Sequence, residues 1–132
     1  MTNTMGTSLV ISSTVHIYPQ HLPFSAIKEA ILGKKYELSL TFIGEKRAVS
    51  LNQAHRNKSY VPNVLSFPLT TTVGEIFICP AVAKNEATSF SLSTNGYVAY
   101  LFIHGCLHLK GHDHGDTMEK MERKYLKAFA IS

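Results

Sequence analysis

Cysteine is scarce in this chain of 132 residues: Cys79 and Cys106 are the only two. Two thiols make no disulfide framework, and such sparing use fits a reducing cytoplasm. Long apolar runs are missing too. No stretch reaches the ~18 apolar residues that a membrane span requires, so no membrane partner is expected. The opening MTNTMGTSLVIS has neither a basic stretch nor a long apolar one, which excludes a signal peptide as its reading; Met5 offers a second start. Charge of one sign is in small excess, with 13 Lys and Arg against 9 Asp and Glu and a formal net charge of +4. That tilt is compatible with nucleic acid but does not identify it. Repeats, low-complexity tracts and linkers are absent, so residues 1–132 read as a single soluble, cytoplasmic domain. With 45% hydrophobic and 17% charged residues, the chain has enough apolar surface for a core and is not disordered.

The periodicities place the elements. SLVISSTVHIY (8–18) is rich in β-branched residues and predicts a strand. PFSAIKEAILG (23–33) predicts a short helix stopped by Gly33. YELSLTFIG (36–44) alternates as a half-buried strand does. EKRAVSLNQAHRN (45–57) returns to helical spacing. VLSFPL (64–69) is a short apolar run stopped by Pro68, and VGEIFICP (73–80) is a further strand. Helices follow over 81–90 and 94–111. The second is apolar nearly all round, as a buried central helix would be. Asp116 and Glu119 fit a capping box that opens a last helix over 117–130. Irregularly interleaved strands and helices predict an α+β fold: a small mixed sheet packed by helices, around a central helix that bears the candidate ligands.

Those ligands lie in HGCLHLKGHDH (104–114). His104 and His108 are four apart and project from one helical face. Gly111 can adopt the left-handed conformation that reverses the chain, which lets His114 fold back. Three imidazoles with an open fourth position form the layout of a catalytic Zn2+ site, one ion per chain. Cys106 lies about 160–200° round the helix from both histidines and is not counted as a ligand. His112 is a lesser alternative, and Asp113 could orient a ligand ring or simply bond the loop backbone. Gly105 stands where HExxH hydrolases carry their glutamate base, so the site is a poor peptidase. A three-histidine zinc can still bring its water to a pKa of about 7, and a phosphodiester with a nearby cation would suit it. LNQAHRNKSYVPNVLSFPL (51–69) offers Arg56 and Lys58, of which Arg56 has the planar group that grips phosphate in bidentate fashion.

Taken together, HGCLHLKGHDH, LNQAHRNK (51–58), NVLSFP (63–68) and GEI (74–76) resemble the YbeY family, bacterial rRNA maturation factors regarded as single-strand-specific endoribonucleases. The likeness runs from about residue 36 to the C-terminus. It implies that His104, His108 and His114 are zinc ligands and that Arg56 is the arginine needed for activity. It also implies that Asn52 belongs to the same motif and that Ser66 lies along a cleft floor. The fold it implies is α+β with a mostly parallel mixed sheet. The chain departs from the family at His55, Asn57, Ser59, Val61, Pro62, Asn63, Glu75 and His112, but at none of the three ligand positions nor at Arg56.

The expected function is therefore a zinc-dependent endoribonuclease acting on single-stranded rRNA precursors. Its role would be 16S rRNA 3′-end maturation and ribosome quality control, with the small ribosomal subunit as partner. Arg56 would clamp the scissile phosphate, while Lys46, Arg47 and Lys58 would hold the RNA backbone with Ser66 nearby. No aromatic platform for bases is evident, so readout of base sequence is not expected. Two alternatives remain: a non-catalytic ribosome-assembly factor with a structural zinc, and a zinc hydrolase of another substrate.

Overall fold

The alternation in YELSLTFIG becomes the middle of a sheet. Leu38, Leu40 and Phe42 are buried, while Glu37 points to solvent. The computed structural model describes the backbone of residues 3–5 and the whole of residues 8–132; the reading of the first twelve residues thus lies partly outside it. Five strands run in chain order as β1 (Asn3–Met5), β2 (Leu9–Ser13), β3 (Glu37–Phe42), β4 (Val64–Thr70) and β5 (Val73–Ile78). They lie side by side in the order β1-β2-β3-β5-β4. The central pairings, β2 with β3 and β3 with β5, are parallel. The outer ones, β1 with β2 and β4 with β5, are antiparallel.

The fold is α+β and the sheet is mixed, as expected: β2, β3 and β5 run parallel at its centre, and the antiparallel β1 and β4 form its edges. Helices α1 (Phe24–Leu32) and α2 (Glu45–Arg56) follow β2 and β3, and α3 (Pro80–Glu86), α4 (Thr94–Lys110) and α5 (Asp116–Ala128) follow β5. The apolar helix α4 packs on α1 and on strands β4 and β5. Phe102 on α4 meets Phe24 on α1 edge-on, with ring centroids 5.0 Å apart. Ten residues of α4 are buried, which explains its lack of a polar face.

The structure corrects several boundaries. The first long strand ends at Ser13, and residues 14–18 leave the sheet. β4 passes through Pro68 to Thr70, with a register shift between them. It is an outermost strand, where a missing N–H is tolerated. The 81–90 helix is two pieces, α3 and a 3-10 turn over Ala87–Phe90 that ends at Ser91 in the left-handed region. The capping box does not form. Gly115 is the N-cap of α5, no side chain caps it, and Asp116 and Glu119 lie in the first turn. Both still face the positive end of the helix dipole, which is favourable.

Candidate metal centre

The site begins with the two ends of α4. At its start the Ser93 hydroxyl accepts the Gly96 N–H at 3.0 Å, satisfying one donor that the helix leaves unpaired. At its end Gly111 takes φ 109° and ψ 8°. The Gly111 N–H donates to the His108 carbonyl and the His112 N–H to the Leu107 carbonyl, both at 3.0 Å. This paired closure is a Schellman turn, and the glycine permits its positive φ. The reversal returns His114 to the rings of His104 and His108. Ring centroids are 4.6 Å apart for His104 and His108, 5.0 Å for His104 and His114, and 4.7 Å for His108 and His114. One nitrogen from each ring lies within 4.8 Å of the others, an arrangement that could hold a metal ion.

The hydrogen bonds fix which nitrogens face that point. His104 Nδ1 contacts the Glu122 carboxylate at 2.5 Å, and His108 Nδ1 contacts the His112 carbonyl at 3.0 Å. A carboxylate and a carbonyl only accept, so each Nδ1 carries the proton. In the neutral rings both Nε2 atoms then present bare lone pairs, and these lie 3.1 Å apart. Two lone pairs that close repel unless a proton or cation sits between them. Tetrahedral zinc with bonds of 2.0–2.1 Å would set its nitrogens roughly 3.3 Å apart, so the donor set fits. Burial lowers the His108 pKa from its ordinary value, and the neighbouring His104 and His114 lower it further. His108 is thereby held in the neutral form that a metal ligand needs.

Gly105 has a structural reason. A β-carbon there would meet Ser66 Oγ at 2.9 Å and Ile76 Cδ1 at 3.0 Å. The Gly105 carbonyl also accepts the Ser66 hydroxyl at 3.2 Å. This position of α4 lies against β4 and β5, so a glutamate here would press into the sheet. Cys106, fully buried in the core, is likewise outside the site.

The histidines line a cleft of about 550 Å³. Arg56, at the C-terminus of α2, lines it too, and so does Ser66 on β4. Arg56 is exposed, and its Nη1 donates to Asn52 Oδ1 at 3.3 Å and to the Tyr60 hydroxyl at 3.2 Å. Asn52 is fully buried and donates to the Tyr60 carbonyl at 3.1 Å. It therefore positions the arginine and the loop after it. Other expected residues lie elsewhere. Lys46 and Arg47 are exposed in the first turn of α2, about 14 Å along the helix from Arg56, and do not line the cleft. Lys58 is exposed beyond the helix end and does not line it either. Asp113 is exposed on the turn, and Glu122 and the His112 carbonyl take the role of orienting the rings.

Sequence reasoning missed Glu122 and an aromatic wall. Glu122 is 6% exposed on α5, four residues after buried Met118. A carboxylate on the apolar stripe of a helix was the available signal. Tyr100 donates to it at 3.4 Å. The wall consists of Phe90, Tyr97 and Tyr100, with centroid separations of 4.8 Å for Phe90–Tyr97 and 5.6 Å for both other pairs. All three line the cleft, a cluster of rings that the sequence patterns did not reveal.

The family model described as Endoribonuclease YbeY matches residues 9–130, reaching well upstream of residue 36. The Endoribonuclease YbeY of Mesoplasma florum is 37% identical over 111 residues, covering 76% of this chain and 65% of that protein. That of Xylella fastidiosa is 36% identical over 115 residues, covering 75% and 71%. The chain thus spans slightly less than two thirds of the length of the Mesoplasma florum relative. The solution structure of the Thermotoga maritima protein TM1509 superposes with a TM-score of 0.58 at 29% identity, covering 79% of this chain and 77% of that one. Among the described residues no helix is long and apolar enough to cross a membrane.

Proposed function

The chain belongs to the YbeY family, and on that premise we propose that it is a zinc-dependent, single-strand-specific endoribonuclease of rRNA precursors. Its role is maturation of the 16S rRNA 3′ end and ribosome quality control, in the cytoplasm and on the small ribosomal subunit. The observation that carries this reading is the meeting of three inward-facing imidazoles and one guanidinium in a single cleft. His104, His108 and His114 would hold the metal. When bound, such an ion supplies Lewis-acid polarisation of water or of a phosphate oxygen.

The protein's own groups do the rest. Glu122 and the His112 carbonyl lock the rings of His104 and His108 in one tautomer. Arg56 spends Nη1 on Asn52 and Tyr60, which leaves its Nε–Nη2 edge for two phosphate oxygens. There it binds the scissile phosphate and offsets the charge that develops in the transition state. Ser66 fixes the cleft floor through the Gly105 carbonyl.

One observation favours a second reading. Among the described residues no carboxylate lines the cleft, so no acidic general base faces the scissile bond. The attacking group is then water or the RNA's own 2′-hydroxyl, or the protein is an assembly factor that binds RNA without cutting it. Wild type, His108→Ala and Arg56→Ala, each with its metal quantified, would be incubated with a single-stranded rRNA precursor fragment and with small subunits. Cleavage is expected from wild type alone. Arg56→Ala keeps its metal and loses about 10²-fold or more in rate, and His108→Ala loses both metal and cleavage. A 2′,3′-cyclic phosphate end would identify the 2′-hydroxyl as nucleophile. Equal cleavage by all three, or none even with ribosomes, would overturn the nuclease reading in favour of the assembly factor.

A further inference from the structure

Exposed aromatic rings are costly in water, and this chain keeps two in one place. Among the described residues four large apolar side chains are exposed: Ile17, Tyr60, Leu69 and Phe90. The two aromatic ones both line the cleft that holds the histidines and Arg56. Phe90 ends the 3-10 turn after α3, and Ser91 follows in the left-handed conformation. One side of its ring rests on Tyr97 and Tyr100, tilted by 36° and 34°, yet the residue stays 50% exposed. The ring is thus braced from behind with much of its surface open to solvent. Steps of 5.6 Å from Phe90 to Tyr100 and 6.1 Å from Tyr100 to His104 join it to the metal centre. In the same cleft the Tyr60 hydroxyl accepts a hydrogen bond from Arg56. A strand whose phosphate lies between Arg56 and the histidines can lay a neighbouring base on Phe90.

We propose that Phe90, braced by Tyr97 and Tyr100, is a stacking platform for a nucleobase next to the scissile phosphate of single-stranded RNA. This rests on the RNA-cleaving reading above and adds to it a base-binding subsite. The occupant follows from the surroundings. A purely apolar partner would gain nothing from the guanidinium in the same cleft, whereas a nucleotide pairs a flat ring with an anion. The subsite accepts any base. The Tyr97 hydroxyl is spent on Glu86 at 2.9 Å, the Asn63 amide donates to Glu86 at 3.0 Å, and the Asn63 carbonyl oxygen accepts the Val64 N–H. The wall therefore offers a ring face and no spare polar group to read base edges, and every base has a π-face. A duplex, whose bases are already stacked, cannot use it, which supplies a preference for single strands.

The test uses zinc-loaded protein and a short, phosphorothioate-linked single-stranded RNA, alongside an abasic strand with the same backbone. Phe90→Leu keeps apolar packing against Tyr97 and Tyr100 but removes the ring. It should weaken binding of the base-carrying strand about tenfold and leave the abasic strand unchanged. Phe90→Trp should restore the affinity. The chain contains no tryptophan, so the indole introduced by Phe90→Trp is the only one. Its emission should be quenched by the base-carrying strand and not by the abasic one. Wild-type affinity in Phe90→Leu, or equal quenching or none with both strands, would overturn the platform while wild-type cleavage upholds the nuclease. Binding of neither strand by wild type, with no cleavage, would overturn both and leave the ring as a seat for a protein chain.

Discussion

Glu122 is an expensive residue for a small domain to bury. A carboxylate out of water must be repaid by hydrogen bonds, and this one has His104 Nδ1 and the Tyr100 hydroxyl. Its negative charge also favours any cation held by His104. Glu122→Gln keeps the shape, removes the charge and replaces one acceptor with a donor. It should weaken zinc binding about 10- to 100-fold, measured by competition with a chelator, and leave the metal-free fold close to wild type. Unchanged zinc affinity would mean that Glu122 serves only to dock α5. Residues at this scale were legible in the sequence where their partners are close along the chain. His104, His108 and His114 span eleven residues, and helical spacing together with the glycine turn at Gly111 brings them together. Glu122 stands 18 residues beyond His104 on another helix, so no local pattern joins them. Arg56 was distinguished from Lys58 by guanidinium chemistry and by resemblance, since charge spacing does not separate them.

At the scale of elements, α4 serves both the core and the site, and its two glycines divide that work. Gly105 allows the helix to approach β4 and β5; Gly111 turns the chain so that His114 meets its partners. Gly111→Ala forces an alanine to φ 109°, a conformation that costs an L-residue about 1–2 kcal/mol. Denaturant unfolding of the metal-free protein should show a loss of that size, and zinc affinity should fall because His114 shifts. Full affinity with full stability would show that the turn tolerates a side chain. Gly105→Glu restores the HExxH pattern in sequence only. It should destabilise the fold by roughly 3 kcal/mol or more, by overpacking and by burying a charge, and confer no peptide hydrolysis. A stable variant that cleaves peptides would refute the account of Gly105 given by its packing. β3 was legible from its alternation and α4 from its length and nearly continuous apolar character. β4 was not read past Pro68, because its place at the edge of the sheet is a tertiary fact. The same holds for the capping box: Asp116 and Glu119 have the right spacing, but the chain enters α5 one residue earlier, through Gly115.

At the scale of the whole molecule, the three ligands join segments that the fold packs only in part. α4 is locked into the core, while the 111–115 turn is mostly exposed and α5 sets Met118, Met121, Tyr125 and Leu126 against the core and joins α4 through the Glu122–His104 contact. A ligand that binds the folded state alone stabilises it by the logarithm of its excess over Kd. Free zinc at a thousandfold its Kd contributes about 4 kcal/mol, which raises Tm by about 10–15 °C in a domain of this size. Calorimetry with and without chelator should show that rise in wild type and none in His108→Ala. Hydrogen exchange should place the gain at residues 104–122 and leave β3 and β5 unchanged, because those strands are held by burial and by ladders on both sides. A Tm that ignores zinc would mean that these imidazoles do not share an ion. A rise accompanied by equal protection everywhere would mean that the metal stabilises the fold as a unit, with α5 and the turn already as firmly held as the sheet.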